Sequence, residues 1–157
     1  MPKVKLVRWD YNKDSGRRKG GQLAVELDNR LEIELARISG DHVRKTNLPE
    51  LTSWLQETNA ELFFIYTDTE EEQTCVGFCV LAYRRDLRHG TLTRFYILKK
   101  HRRKHLGRET MKKILAKFKK EGIRTIGLTV YTQNTPARRF YESFGFGVRS
   151  LNMEKEI

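Results

Sequence analysis

Cysteine and proline are scarce in this chain, acidic residues are few, and long apolar runs are missing: it has 2 Cys, 3 Pro and 20 Asp+Glu in 157 residues. Cys75 and Cys79 stand four apart in a strand-like stretch. On a strand they share a face roughly 13 Å apart, which is beyond disulfide reach. That excludes a disulfide framework and predicts two buried, reduced thiols. No run approaches the ~20 apolar residues of a membrane-spanning helix. The N-terminus, MPKVKLVRWD, has no secretory core. The expected compartment is therefore the cytoplasm, with no membrane partner, and no metal site is expected. What remains, 38% hydrophobic and 32% charged, is ordinary for one soluble domain whose core needs no staples.

The shortage of acid leaves a formal charge of +11, which bears on partners and solubility rather than on fold. It suits an acidic partner, nucleic acid or ribonucleoprotein included, and disfavours a polycationic one. Part of it is concentrated in KKHRRKHLG, Lys99 to Gly107, between an apolar strand (Leu92 to Leu98) and an amphipathic run from Leu106 to Lys120. A strand, a tight basic loop and a helix start gather unpaired N–H groups at the positive end of the helix dipole. Such a turn suits phosphate; the plainer alternative is a solvated charge run.

In chain order, Val4 to Trp9 reads as a short strand and Asp10 to Gly21 as a flexible polar loop. Together, residues 1–21 form an N-terminal extension, and 22–157 form the domain. Leu23 to Leu27 and Leu31 to Leu35 alternate with period two around Asp28-Asn29, the pattern of a β-hairpin. The leucines at 23, 27, 31 and 35 also fit a helix, but the hairpin is preferred. A helix is predicted over 49–56, with Pro49 in its first turn. Strands are predicted at Leu62 to Tyr66, Cys75 to Tyr83 and Thr91 to Leu98, and a solvated loop with three glutamates over 67–73. Met111, Ile114, Leu115 and Phe118 line one face of the helix after the basic loop. Ile126, Leu128 and Val130 alternate in a further strand. A second helix opens at Asn134-Thr135-Pro136, and a last strand is predicted from Phe146 to about Ile157. The order makes a mixed α/β sheet with helices on its faces.

Two separated signatures then resemble the GCN5-related N-acetyltransferase (GNAT) superfamily. The pyrophosphate loop Arg/Gln-x-x-Gly-x-Gly/Ala falls on Arg102-Arg103-Lys104-His105-Leu106-Gly107. The pattern Asn-x-x-Ala-x-x-x-Tyr-x-x-x-Gly-Phe is met by Asn134, Ala137, Tyr141, Gly145 and Phe146. The resemblance runs from about Ile33 to Ile157. His105 stands where the family usually has its first glycine; histidine fits there if its φ is ordinary and its ring points to solvent.

The resemblance implies a mixed, mostly antiparallel sheet with helices on both faces and strands splayed at an acetyl-CoA site. It implies an N-acetyltransferase that moves the acetyl group of acetyl-CoA to a primary amine by direct attack. The backbone of Phe95 and Ile97 would pair with the pantetheine arm, the amides of Arg103, Lys104, His105, Leu106, Gly107 and Arg108 would hold the pyrophosphate, and Arg102 belongs to the same loop. Asn134 would contact the arm, and Arg138 or Arg139 the nucleotide phosphates. Tyr141 is the implied general acid. The strand before the loop offers no carboxylate as a base; Glu61, Asp68 and Glu70 to Glu72 are equivalent candidates, while His89 and His101 read as surface residues. The short segment after Gly147 predicts an open acceptor cleft and an acidic or macromolecular acceptor, on a monomer or homodimer. The alternative from another class is a non-catalytic basic nucleic-acid-binding or regulatory module on the same fold.

Overall fold

The computed structural model describes residues 3–13, 19–68 and 73–157. A five-stranded sheet forms in the order β1 (Lys3–Arg8), β2 (Ala60–Asp68), β3 (Gln73–Arg84), β4 (His89–Ile97) and β5 (Thr125–Gly127). The first three pairings are antiparallel, and β4–β5 is parallel. The helices are α1 (Lys19–Ser39), α2 (Leu48–Glu57), α3 (Leu106–Lys120) and α4 (Thr135–Glu142). The sheet is not closed. No described helix is long and apolar enough to cross a membrane.

Alternation along the strands divides the core between the two faces. Leu62, Phe64, Phe78, Val80 and Tyr96 pack with Ala24, Leu27 and Leu31 of α1 and Leu51 and Leu55 of α2. Phe63, Cys79, Leu81 and Leu92 pack with Met111, Ile114 and Phe118 of α3. Helices therefore cover both faces, as expected. Trp9 lies in the first cluster, and β1 pairs with β2 along its whole length, from Lys3↔Asp68 to Arg8↔Phe63. Both cysteines are free, with Cys79 fully buried and Cys75 partly so; burial raises both thiols above their ordinary range.

Two expectations fail. Residues 23–35 form no hairpin; they lie inside the 21-residue helix α1. Leu27 and Leu31 of the four-spaced leucines are buried against the sheet together with Ala24, while Leu23 and Leu35 flank them half-buried, so the helical stripe outweighs the local period-two alternation. Asp28-Asn29 is no turn: Asn29 instead clamps Thr46, accepting from its N–H at 2.8 Å and donating to its carbonyl at 3.2 Å. The last strand is also absent. Residues 146–157 have no ladder partner, and Val148, Leu151 and Met153 are exposed. β5 ends at Gly127, short of the predicted Val130, so no edge extends to meet the tail. The three-glutamate loop, Glu70 to Glu72, lies outside the described residues, as does part of the 10–21 loop.

Candidate active site

The site begins with one extra residue. Val80 faces Arg94, yet Leu81 faces Leu92, so Thr93 bulges out of β4. The bulge reverses the alternation: Leu92 points to α3, whereas Arg94 and Tyr96 point to α1 and α2. It also ends the pairing with β5, which holds only for His89↔Thr125, Gly90↔Ile126 and Thr91↔Gly127. Beyond Thr91 the two strands part.

The direction of the freed backbone groups follows from antiparallel pairing. Leu98 N–H bonds Val76 O at 2.8 Å, so even-numbered residues of this half of β4 exchange bonds with β3. Phe95 and Ile97 are the alternate, non-bonded pairs. Their N–H and C=O groups turn from β3 toward the gap left by β5.

At the C-terminal end of β4 the chain turns through Lys99–His101 into the basic loop. His101 and Arg102 N–H close on Leu98 and Lys99 carbonyls, and Glu109 N–H closes on His105 O. Among the described residues, the amides between them, Arg103 to Arg108, have no backbone acceptor. Arg103 and His105 both take left-handed conformations, at φ 60° and 61°. Alternation of this kind turns successive N–H groups to one side, making a concavity for an anion at the head of α3. His105 keeps its ring in solvent, as anticipated, but its φ is not ordinary. It holds the conformation a glycine would hold without strain.

The side chains of the loop do different things. Arg103, His105, Gly107 and Arg108 line the cleft, Leu106 is buried beneath it, and Lys104 is exposed outside it. Arg102 is already occupied. Its guanidinium grips Glu34 of α1 at 2.6 and 2.9 Å, its Nε donates to Ile97 O at 2.8 Å, and it lies over the Tyr96 ring at 5.3 Å. Arg108 donates to Ser143 Oγ at 3.3 Å and lies over Phe144 at 5.0 Å, tying α3 to α4.

The opposite wall comes from α4. Asn134 caps that helix by accepting from Ala137 N–H at 3.3 Å. Arg138 is half-buried and only loosely held, 3.5 Å from Thr132 O and 3.8 Å from Glu142. Tyr141 packs edge-on to Phe140 and Phe146, with Phe140 in turn 5.9 Å from Phe95. Burial pushes the Tyr141 phenol up to about 12, so it is a protonated donor at neutral pH.

Across the cleft, α1 supplies a cluster that sequence reasoning missed. Arg94 bridges Asp28 at 3.2 Å and Glu32 at 3.3 Å, with its guanidinium 5.0 Å over the Trp54 ring. Burial raises both carboxyls, against the opposing pull of Arg94. The signal was present as i,i+4 spacing beside the leucine stripe, but the hairpin reading put Asp28 in the turn and Glu32 on the second strand. Of the earlier base candidates, Glu61 is committed to Arg8 at 2.7 Å and does not line the cleft. His89 ties β4 to β5 through Thr125 at 2.9 Å. His101 buries an unpartnered Nε2, and burial with Lys100 and Lys104 lowers its pKa.

The cleft measures about 2830 Å³. That is larger than the ~300–1,000 Å³ of a single small-ligand pocket, because the cleft lies open from α1 and β4 across to α4 and the 148–154 segment. Comparison with known proteins agrees with this fold. The BH1408 protein of Bacillus halodurans, solved as a tetramutant, matches at TM-score 0.73 and 16% identity over 99% of both chains. An acetyltransferase of the GNAT family from Staphylococcus aureus Mu50 matches at TM-score 0.66 and 17% identity, over 91% of this chain and 84% of that one. An aminoglycoside acetyltransferase, meta-AAC0020, from an uncultured soil metagenomic sample, solved with trehalose, matches at 0.66 and 12%, over 98% and 96%. These likenesses establish the fold alone. No curated protein matches significantly in sequence. The profile of the Acetyltransferase (GNAT) family matches residues 22–146, spanning both signatures, the bulged strand and the amide-lined loop, and the chain belongs to that family.

Proposed function

We propose that this chain is an acetyl-CoA-dependent N-acetyltransferase acting on a primary amine by direct attack. The observation that carries the reading is the gap between β4 and β5, edged by the backbone N–H and C=O of Phe95 and the N–H of Ile97 and ending at the unpaired amides of 103–108. Bound there, acetyl-CoA supplies an acetyl group activated as a thioester.

The chain's own residues then have separable tasks. The Phe95 N–H donates to the thioester oxygen as charge grows on it. Phe95 also offers its carbonyl, and Ile97 its N–H, to the amide groups of the arm; one lone pair of Ile97 O is already taken by Arg102. The amides of the loop hold the pyrophosphate, helped by the charges of Arg103 and Arg108, with Arg138 beside the nucleotide. The Nδ2 of Asn134 is free for the arm while its Oδ1 caps α4. As the amine nitrogen bonds to the carbonyl carbon and the carbon–sulfur bond breaks, the Tyr141 hydroxyl gives its proton to the sulfur. The proton lost by the amine passes to the Asp28–Glu32 pair, the carboxylates that line the same cleft. Amide and free thiol are the products.

The acceptor side is bordered by residues 148–152 and 154, which form no strand, so the cleft is open. Its local charges nearly balance, with Asp28, Glu32, Asp41 and Glu50 against Arg44, Lys45 and Arg94. An overall charge of +11 therefore governs approach and favours an acidic or macromolecular acceptor. The test is thermal unfolding with acetyl-CoA. At about 100 times its dissociation constant it should stabilise the fold by roughly 2.7 kcal/mol. A screen of peptides, RNA-linked amines and polyamines for CoA release then names the acceptor. No thermal shift at millimolar acetyl-CoA overturns the reading.

A further inference from the structure

A carboxylate stands beside the loop that would receive the cofactor's negative charge. Glu34 projects from α1 to Arg102 with side-chain exposure of only 21%. Burial alone raises its carboxyl, but the Arg102 guanidinium, helped by Lys99 and Tyr96, outweighs burial and holds the group below its ordinary value. It is therefore fully charged at neutral pH. On Coulomb grounds alone, a fixed negative charge there opposes the binding of an anion. Its presence needs a compensating role, and the hydrogen bonds supply one.

Arg102 is held at three points: the two Glu34 oxygens and the carbonyl of Ile97. Ile97 O is one of the outward-facing groups of β4, and Arg102 immediately precedes Arg103, the first left-handed residue of the loop. The grip thus fixes the end of the splayed strand against the start of the loop. Glu34 reaches both from a helix anchored in the core through Leu27 and Leu31. A planar guanidinium can hold this three-point arrangement; an ammonium cannot.

We propose that Glu34 is a positioning residue for the cofactor. Through Arg102 it holds loop 102–105 in the conformation whose amides receive the pyrophosphate, and Arg102 is a strut rather than a phosphate ligand. The inference rests on the acetyl-CoA reading of the loop.

The two roles predict opposite signs. If charge alone mattered, Glu34→Gln would tighten CoA binding. If Glu34 positions the loop, the same change weakens it. A loop that spends about a tenth of its time in the competent form binds about ten-fold more weakly. Arg102→Lys keeps the charge of the wild type and loses the three-point grip, so it weakens CoA to a similar extent. The double variant Glu34→Gln/Arg102→Lys is no worse than either single change, because Glu34 acts through Arg102.

The experiment is calorimetric titration of CoA into wild type and the three variants, with circular dichroism recording the fold. Wild-type binding with about ten-fold loss in Glu34→Gln and in Arg102→Lys, non-additive when combined, bears the proposal out. Unchanged or tighter binding in either single variant overturns it. Should Glu34→Gln fail to fold, the charge-neutral Arg102→Lys decides the matter. Wild type that binds no CoA overturns the acetyl-CoA reading, and the proposal with it.

Discussion

His105→Gly should make this protein more stable, against the usual direction of a glycine substitution. His105 sits at φ 61°, ψ 5°, just before α3, and its side chain makes no capping bond. A left-handed conformation costs an L-residue roughly 1–2 kcal/mol. Glycine removes that strain but adds about 0.4–1 kcal/mol of chain freedom to the unfolded state. The difference, about 0.5–1 kcal/mol in favour of the variant, corresponds to about 1–4 °C in Tm for a chain of this size. The exposed ring has no hydrogen bond to forfeit. His105→Ala separates backbone from ring: it keeps the Cβ and with it the strain, so it gains nothing. Differential scanning calorimetry on the three proteins makes the comparison, with CoA titrations alongside. Because the backbone N–H survives, CoA affinity should stay within about two-fold of wild type. Glycine that destabilises, or alanine that stabilises equally, refutes the assignment of strain to this residue.

Three further outcomes are expected. Tyr141→Phe keeps the ring and its contacts with Phe140 and Phe146, so Tm should hold while turnover of the identified acceptor falls about 10²–10⁴-fold and CoA binding is unchanged. Since the phenol is pushed up to about 12, Tyr141 contributes no alkaline limb to the rate profile near neutral pH; full turnover in the variant where chemistry limits the rate would leave the residue a core aromatic. Gly77→Ala should destabilise by roughly 3 kcal/mol or more, because a Cβ there would overlap Tyr96 O, backbone that cannot swing away; a variant melting with wild type would contradict the β3–β4 register. Glu34 has its folded pKa below the ordinary 4.5, so its contribution is present above that value and lost as pH falls through the folded pKa. Acid titration of stability should therefore be shallower in Glu34→Gln than in wild type, and superimposable curves would deny the coupling.

Much of this architecture follows from short-range pattern. The β2–β3–β4 succession, the face of α3, the Pro-started helices α2 and α4 and both signatures were legible in the chain because each depends on residues within a turn or a strand of one another. Where two periods overlapped, the sequence was ambiguous. Residues 23–35 satisfy both strand alternation and four-residue spacing, and only the sheet face that buries Ala24, Leu27 and Leu31 selects the helix. That selection also creates the Asp28–Arg94–Glu32 cluster and the Glu34–Arg102 strut, which join residues 66 and 68 apart in sequence. The bulge at Thr93 depends on the registry between two strands, and neither strand encodes it alone. The same holds for residues 146–157, whose apolar side chains suggested a strand although β5 presents no edge beyond Gly127. Local sequence determined most of the elements, the loop and the family signatures, but neither α1 nor the path of residues 146–157. Tertiary packing decided which face each charge occupies, and so which cations remain for phosphate and which serve as struts, because ion pairing and strand registry are properties of what the fold brings together.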